Sequence, residues 1–217
     1  MGKWLLSSAI SAFLAGRALA ADVESQIRNT LIEPWAQATQ ANDPEKLVRF
    51  LHPQVQACRN AQTKEFFDDA LGRLAHDKIA PGYKITKIAP VQGPTFLDIL
   101  PADSFYRPVQ PTYEAEIQSG STIFGFYLAP VNGSWYQVIP CPNEKGVAMV
   151  HESILKRAED EKRTAQLVSE LKDPLLSELK GLIQREELID AIHRYQAATG
   201  ADLTTAHGVI EKLRPPR

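Results

Sequence analysis

The distribution of aromatic side chains limits what this chain can fold into more than any other feature. Fourteen Phe, Trp and Tyr residues lie between positions 21 and 150, and beyond them only Tyr195. Each aromatic ring brings a large apolar area to a core, so the main core forms before residue 151. Proline divides the same way, twelve in the first stretch against three in the second. The first region therefore carries the large core and most of the turns, and the second reads as helices with a thin apolar stripe. With 217 residues and 44% hydrophobic composition, one or two globular units are expected. The formal net charge is −2, and residues 151–217 hold eleven basic against twelve acidic residues. Neither region presents a field of one sign, which argues against nucleic acid or an anionic membrane as partner. No run of 18 apolar residues occurs, so no transmembrane segment is expected in the mature chain.

The first twenty residues read as an export signal. Met1-Gly2-Lys3 is a short positive start, Trp4 to Ala15 an apolar stretch, and Ala18-Leu19-Ala20 places small residues where a signal peptidase reads them. Cleavage is expected between Ala20 and Ala21, which puts the mature protein in the periplasm or outside the cell. In that oxidising compartment the pair Cys58 and Cys141 is expected to form a disulfide, against two buried thiols or a metal pair. In the chain-entropy picture, a bridge of that span stabilises the fold by about 4–5 kcal/mol.

Val23, Ile27, Leu31 and Trp35 recur at the helical period, predicting a helix over 23–41 that Pro34 kinks or interrupts. Asn42-Asp43-Pro44 supplies a cap and a proline at the first helical position for a short helix through Leu47, Phe50 and Leu51, which Pro53 ends. A third helix is expected over 61–77, with Phe66, Phe67, Ala70, Leu71 and Leu74 on one broad apolar face. From Gly82 the period changes to two. Residues 83–88 and 112–117 alternate apolar and polar and read as strands with one wet face. Residues 122–128 and 134–139 flank Asn132-Gly133, a strong hairpin signal. Phe124, Phe126 and Leu128 share one face of the first; in the second, Trp135, Gln137 and Ile139 oppose Tyr136 and Val138. Aromatics on both faces predict strands that are buried on both sides or that line a cavity on one.

Three helices followed by a bent antiparallel sheet define an α+β domain with the helices on the concave face. The order of elements, the run Ala-Asn-Asp-Pro-Glu-Lys-Leu at 41–47 leading into Leu51-His52-Pro53, and the closing hairpin Asn132-Gly133-Ser134-Trp135-Tyr136-Gln137-Val138 resemble the nuclear transport factor 2-like cone. Ketosteroid isomerases and polyketide cyclases share that cone, and the resemblance covers about residues 22–140. It implies a pocket between helices and sheet, for which Trp35, Phe67, Tyr113, Phe126, Tyr127 and Trp135 are the candidate lining residues, and it implies homodimerisation through the open sheet face. The cone hosts enzymes, binding modules and oligomerisation domains alike.

The organisation expected is a signal peptide over 1–20, the cone-like domain over 21–145, a charged helical linker over 146–183 and a small helical hairpin over 184–217. In the linker, Lys156 to Arg163 is almost wholly charged and reads as a solvated helix, and Asp173-Pro174 restarts a helix. In the hairpin, Gly200 is expected to end one short helix in the left-handed conformation and Asp202 to cap the next, with Leu203 packing back across the turn. Residues 185–213 resemble the helix-turn-helix of the bacterial ribosomal stalk protein in their Ala-Ile and Ala-Thr-Gly positions. Leu188, His193, Thr205 and His207 stand where that family carries its charged docking surface, so the resemblance implies a packing module and not a ribosomal role.

No Gly-rich phosphate loop, Gly-x-Ser-x-Gly elbow, His-Glu-x-x-His or Cys-x-x-Cys motif occurs, so no cofactor is expected, and His193 with His207 makes an incomplete metal site. An isomerase, dehydratase or cyclase in the cone needs a carboxylate whose pKa burial raises, near a hydroxyl donor. Asp68, Asp69, Asp98 and Asp103 are the available acids, with Tyr113, Tyr127 and Tyr136 as donors. The leading expectation is a non-catalytic exported protein that binds a small apolar ligand or another envelope protein; a pocket-acid enzyme and a structural oligomerisation domain are the alternatives.

Overall fold

The structure, a computed structural model, describes residues 22–76 and 79–215. The export segment and its cleavage point lie outside the described residues. The described chain divides into two compact units, one ending at His151 and one beginning at Glu152. Together they form an α+β fold with a helical C-terminal part.

In the first unit, helix α1 runs over 22–40 and Pro34 does not break it. The turn Arg28–Ile32 is π-helical, with the Glu33 N–H donating to the Arg28 carbonyl. A proline lacks an N–H and crowds the carbonyl four residues back; the wider turn just before it takes up that crowding while Ile27, Leu31 and Trp35 stay buried. Helix α2 (Pro44–Val48) begins at Asp43, whose carboxylate accepts the Lys46 N–H. The helix expected through Phe50 and Leu51 stops at Val48, and Pro53, expected to end it, instead starts another, α3 (Pro53–Gln56), in which the His52 ring nitrogen Nδ1 accepts the Gln54 N–H at 3.2 Å. Helix α4 (Lys64–His76) buries Phe67, Leu71 and Ala75 along one face.

The four-stranded antiparallel sheet has the order β1 (Lys84–Pro90), β3 (Tyr113–Ser119), β4 (Thr122–Val131), β5 (Ser134–Gln137). Asn132 and Gly133 both have positive φ, 50° and 80°, the backbone a two-residue hairpin of matching twist requires. A bulge between Ile85 and Lys87 disturbs the β1–β3 register. The inner face places Ala115, Ile117, Phe126 and Leu128 against the helices in one core. On the opposite face Lys87 pairs with Glu114 at 2.7 Å and lies 4.0 Å from Glu116. Two short strands absent from the sequence reading, β2 (Phe105–Tyr106) and β6 (Cys141–Pro142), pair with each other. Cys141 is disulfide-bonded to Cys58 just after α3, with the Cα atoms 6.0 Å apart.

Helix α5 (Glu144–Glu170) starts under Asn143, whose Oδ1 accepts the Gly146 N–H at 3.1 Å and whose amide donates to the Asp103 carbonyl at 2.8 Å. In the second unit, α6 (Leu175–Gln184), α7 (Leu188–Thr199) and α8 (Leu203–Leu213) bury Leu179, Ile183, Ala191, Tyr195, Ala206, Val209 and Ile210 in a separate core. Gly200, at φ 72°, ends α7, and the Asp202 carboxylate accepts the Thr205 N–H at 2.9 Å to begin α8. Leu203 departs from expectation: it is 62% exposed, and Ala201 packs on the core from the turn instead. None of the helices described is long and apolar enough to cross a membrane.

Candidate functional site

The site is set by where β4 and the chain after β5 part. Strand β5 pairs with β4 from Val131 back to Leu128, and one further bond joins the Val138 N–H to the Tyr127 carbonyl at 2.7 Å. Beyond that bond Val138, Ile139 and Pro140 leave toward β6, whereas β4 continues through Gly125. The gap is a groove of about 570 Å³ in the first unit.

One wall is α4. Its N-terminal turn is tied down by Asn60, whose Oδ1 accepts the N–H groups of Gln62 and Thr63 at 2.8 and 3.2 Å, while the Thr63 hydroxyl donates to the Cys58 carbonyl at 2.6 Å. Ion pairs one turn apart, Lys64 with Asp68 and Asp69 with Arg73, support the helix. Phe67 and Leu71 face the core, which turns Phe66, Ala70 and Leu74 to the groove. Phe66 stands edge-on to Phe67 at 5.1 Å and tilted against Phe105 at 6.1 Å.

The facing wall is the connection between β1 and β2. Thr95 and Asp98 form a reciprocal cap: the Asp98 carboxylate accepts the Thr95 N–H at 2.7 Å and its hydroxyl at 2.8 Å. The same carboxylate receives Arg107 at 2.6 Å. The two Thr95 bonds, with the Arg107 charge beside them, hold Asp98 below the usual carboxylate range. The Phe96 N–H donates to the Tyr127 hydroxyl at 3.0 Å, pinning the connection to β4. This fixes Leu97 and Leu100 along the groove and leaves Phe96, which also lines it, largely exposed.

Three polar side chains line the groove. Tyr127 is engaged as above. Arg73 is the charged one, and Asp69 neutralises it at 3.1 Å. Gln137 is 5% exposed; both its backbone groups are fixed, its N–H to the Phe50 carbonyl at 2.7 Å and its carbonyl to the His52 N–H at 2.9 Å. Its side-chain oxygen Oε1 is buried without a hydrogen-bond partner.

Of the six expected lining residues, Tyr127 borders this groove. Trp35, Phe67 and Phe126 are core residues, and Trp35 meets Phe126 edge-on at 4.8 Å. Tyr113 and Trp135 pack on each other at 5.1 Å. Asp68, Asp98 and Asp103 carry shifts opposite to those a pocket acid needs. Lys64 and then Arg59 depress Asp68; Lys145 and the Ser104 hydroxyl depress Asp103, as Thr95 does Asp98. Among the described residues no group of three or more His, Cys, Asp or Glu could hold a metal ion. Sequence reading missed Arg73, Gln137 and the whole 91–105 connection as groove elements. The signal was a proline-bounded segment carrying Phe96, Leu97, Ile99 and Leu100 without strand alternation.

Comparison of the chain with protein-family models, with curated proteins and with solved structures finds no match in any of the three.

Proposed function

We propose that this chain is an exported, non-catalytic binding protein whose cone-like first unit, akin to the nuclear transport factor 2-like domains, holds a small apolar ligand. The groove beside β4 carries the reading. Its walls are Phe, Leu, Val, Ile and Pro side chains, with few polar groups among them, the composition of a small-molecule site. The Cys58–Cys141 disulfide supports an oxidising compartment and hence the signal-peptide reading of residues 1–20. The ligand is favoured over the pocket-acid alternative because Asp68, Asp98 and Asp103 are each held ionised by a partner. It is favoured over pairing through the sheet because Lys87, Glu114 and Glu116 make the outward face charged.

Native mass spectrometry of protein from an exporting host tests both parts. The expected spectrum is a mature mass beginning at Ala21 with a noncovalent adduct that denaturation removes. Intact Met1 with two alkylatable thiols would overturn the export reading. A ligand-free mass together with no uptake of added apolar probes would overturn the binding reading.

A further inference from the structure

Resting on the reading of the groove as the binding site, we infer that its apolar ligand is a short uncharged peptide, held extended as an added strand on the open edge of β4. The strand order sets that edge. Strand β5 accompanies β4 from Val131 back to Leu128, and the Val138 N–H closes the ladder on the Tyr127 carbonyl at 2.7 Å. Alternate residues of a strand direct their N–H and C=O groups to the same side. The β3–β4 register runs unbroken from Tyr113 opposite Leu128 to Ser119 opposite Thr122, so Ile123 and Gly125 direct theirs to the side that Tyr127 does. Strand β3 holds the other side, and the chain after Val138 has already turned away. Among the described residues no backbone group bonds Gly125 on the open side.

Gly125 is exposed, lines the groove, and sits in the interior of a strand, where glycine is unfavourable. Its φ is not positive, and a Cβ there would meet nothing within 4 Å. Neither a turn nor close packing within the chain calls for this glycine, whereas the approach of another backbone does. Further along the same edge β4 already pairs with an extended segment, β5, and the ligand continues that ladder in the place β5 vacates. A peptide supplies main-chain donors and acceptors at the spacing of the edge. Apolar side chains on it suit the walls formed by Phe66, Leu74, Leu97 and Ile139. Charged ones do not, because Arg73 is already matched by Asp69 at 3.1 Å.

The test is calorimetric titration of the full chain with acetyl-Leu-Ala-Leu dimethylamide, with its counterpart N-methylated at every residue, and with 1-octanol, while amide hydrogen exchange is followed at Gly125. The two peptides carry the same side chains and differ in their N–H donors. The unmethylated peptide is expected to bind about tenfold more tightly or better, the worth of a hydrogen bond. It should also slow exchange of the Gly125 N–H by about tenfold or more. Equal affinity for the two peptides, or unchanged exchange at Gly125 with the peptide bound, overturns this inference and leaves the groove as an apolar binding site. Binding of 1-octanol with neither peptide does the same. Failure of all three to bind overturns both.

Discussion

At single residues the structure separates glycines that look alike in the sequence. A Cβ on Gly146 would lie 2.2 Å from the Ser104 carbonyl oxygen, a backbone atom that cannot step aside. Gly72, inside α4, would meet nothing within 4 Å. Gly146→Ala should therefore cost about 1–3 kcal/mol, whereas Gly72→Ala should stabilise by about 0.5–1 kcal/mol through helix propensity; paired denaturant melts check both signs. His52 offers a second test. Burial lowers its pKa, and its neutral Nδ1 accepts the Gln54 N–H that opens α3. Because the folded value lies below the ordinary 6.5, the stability His52 contributes is whole above that pH and is lost as pH falls through the folded value. An NMR titration should place its midpoint below 6.5; a midpoint above it would contradict the cap. Neither effect was legible in the sequence. The Asn132-Gly133 turn was, because positive φ at two adjacent residues is a local demand that local composition can answer.

At the scale of elements, local periodicity found α1, α4 and the four strands, since each buries one face and the pattern of burial is written in the spacing. It missed β2, β6 and the helix that Pro53 starts, which depend on partners far along the chain. Leu203 was misplaced for a related reason: apolar character at a cap does not say which way the side chain turns when Ala201 can fill the same space. The groove was half legible. Tyr127 was named, but Gln137 and the 91–105 connection acquire a role only when β4 and the chain after β5 diverge. Filling that gap should act on binding and not on folding: Ala70→Trp, on the groove face of α4, is expected to weaken an apolar ligand at least tenfold while leaving the melting temperature nearly unchanged, as calorimetry and a thermal melt would report. The cap at Thr95 and Asp98 should also loosen in acid. Asp98 is depressed in the folded state, so its support is whole above the ordinary carboxylate value and disappears as pH falls through the folded one.

At the scale of the whole molecule, the described residues hold two cores that share no residue. Reduction or a double Cys58→Ser, Cys141→Ser change should lower the stability of the first unit by about 4–5 kcal/mol in the chain-entropy picture. The second unit, whose core holds no cysteine, should keep its unfolding midpoint; residue-resolved hydrogen exchange distinguishes the two. What the chain does rests on the groove, and methyl-resolved NMR of the full protein titrated with 1-octanol asks about it directly. The account predicts saturable shifts at Leu74, Leu97, Val138 and Ile139, with Val209 and Ile210 of the second core unmoved. Shifts confined to other methyls, or none at all, would contradict it.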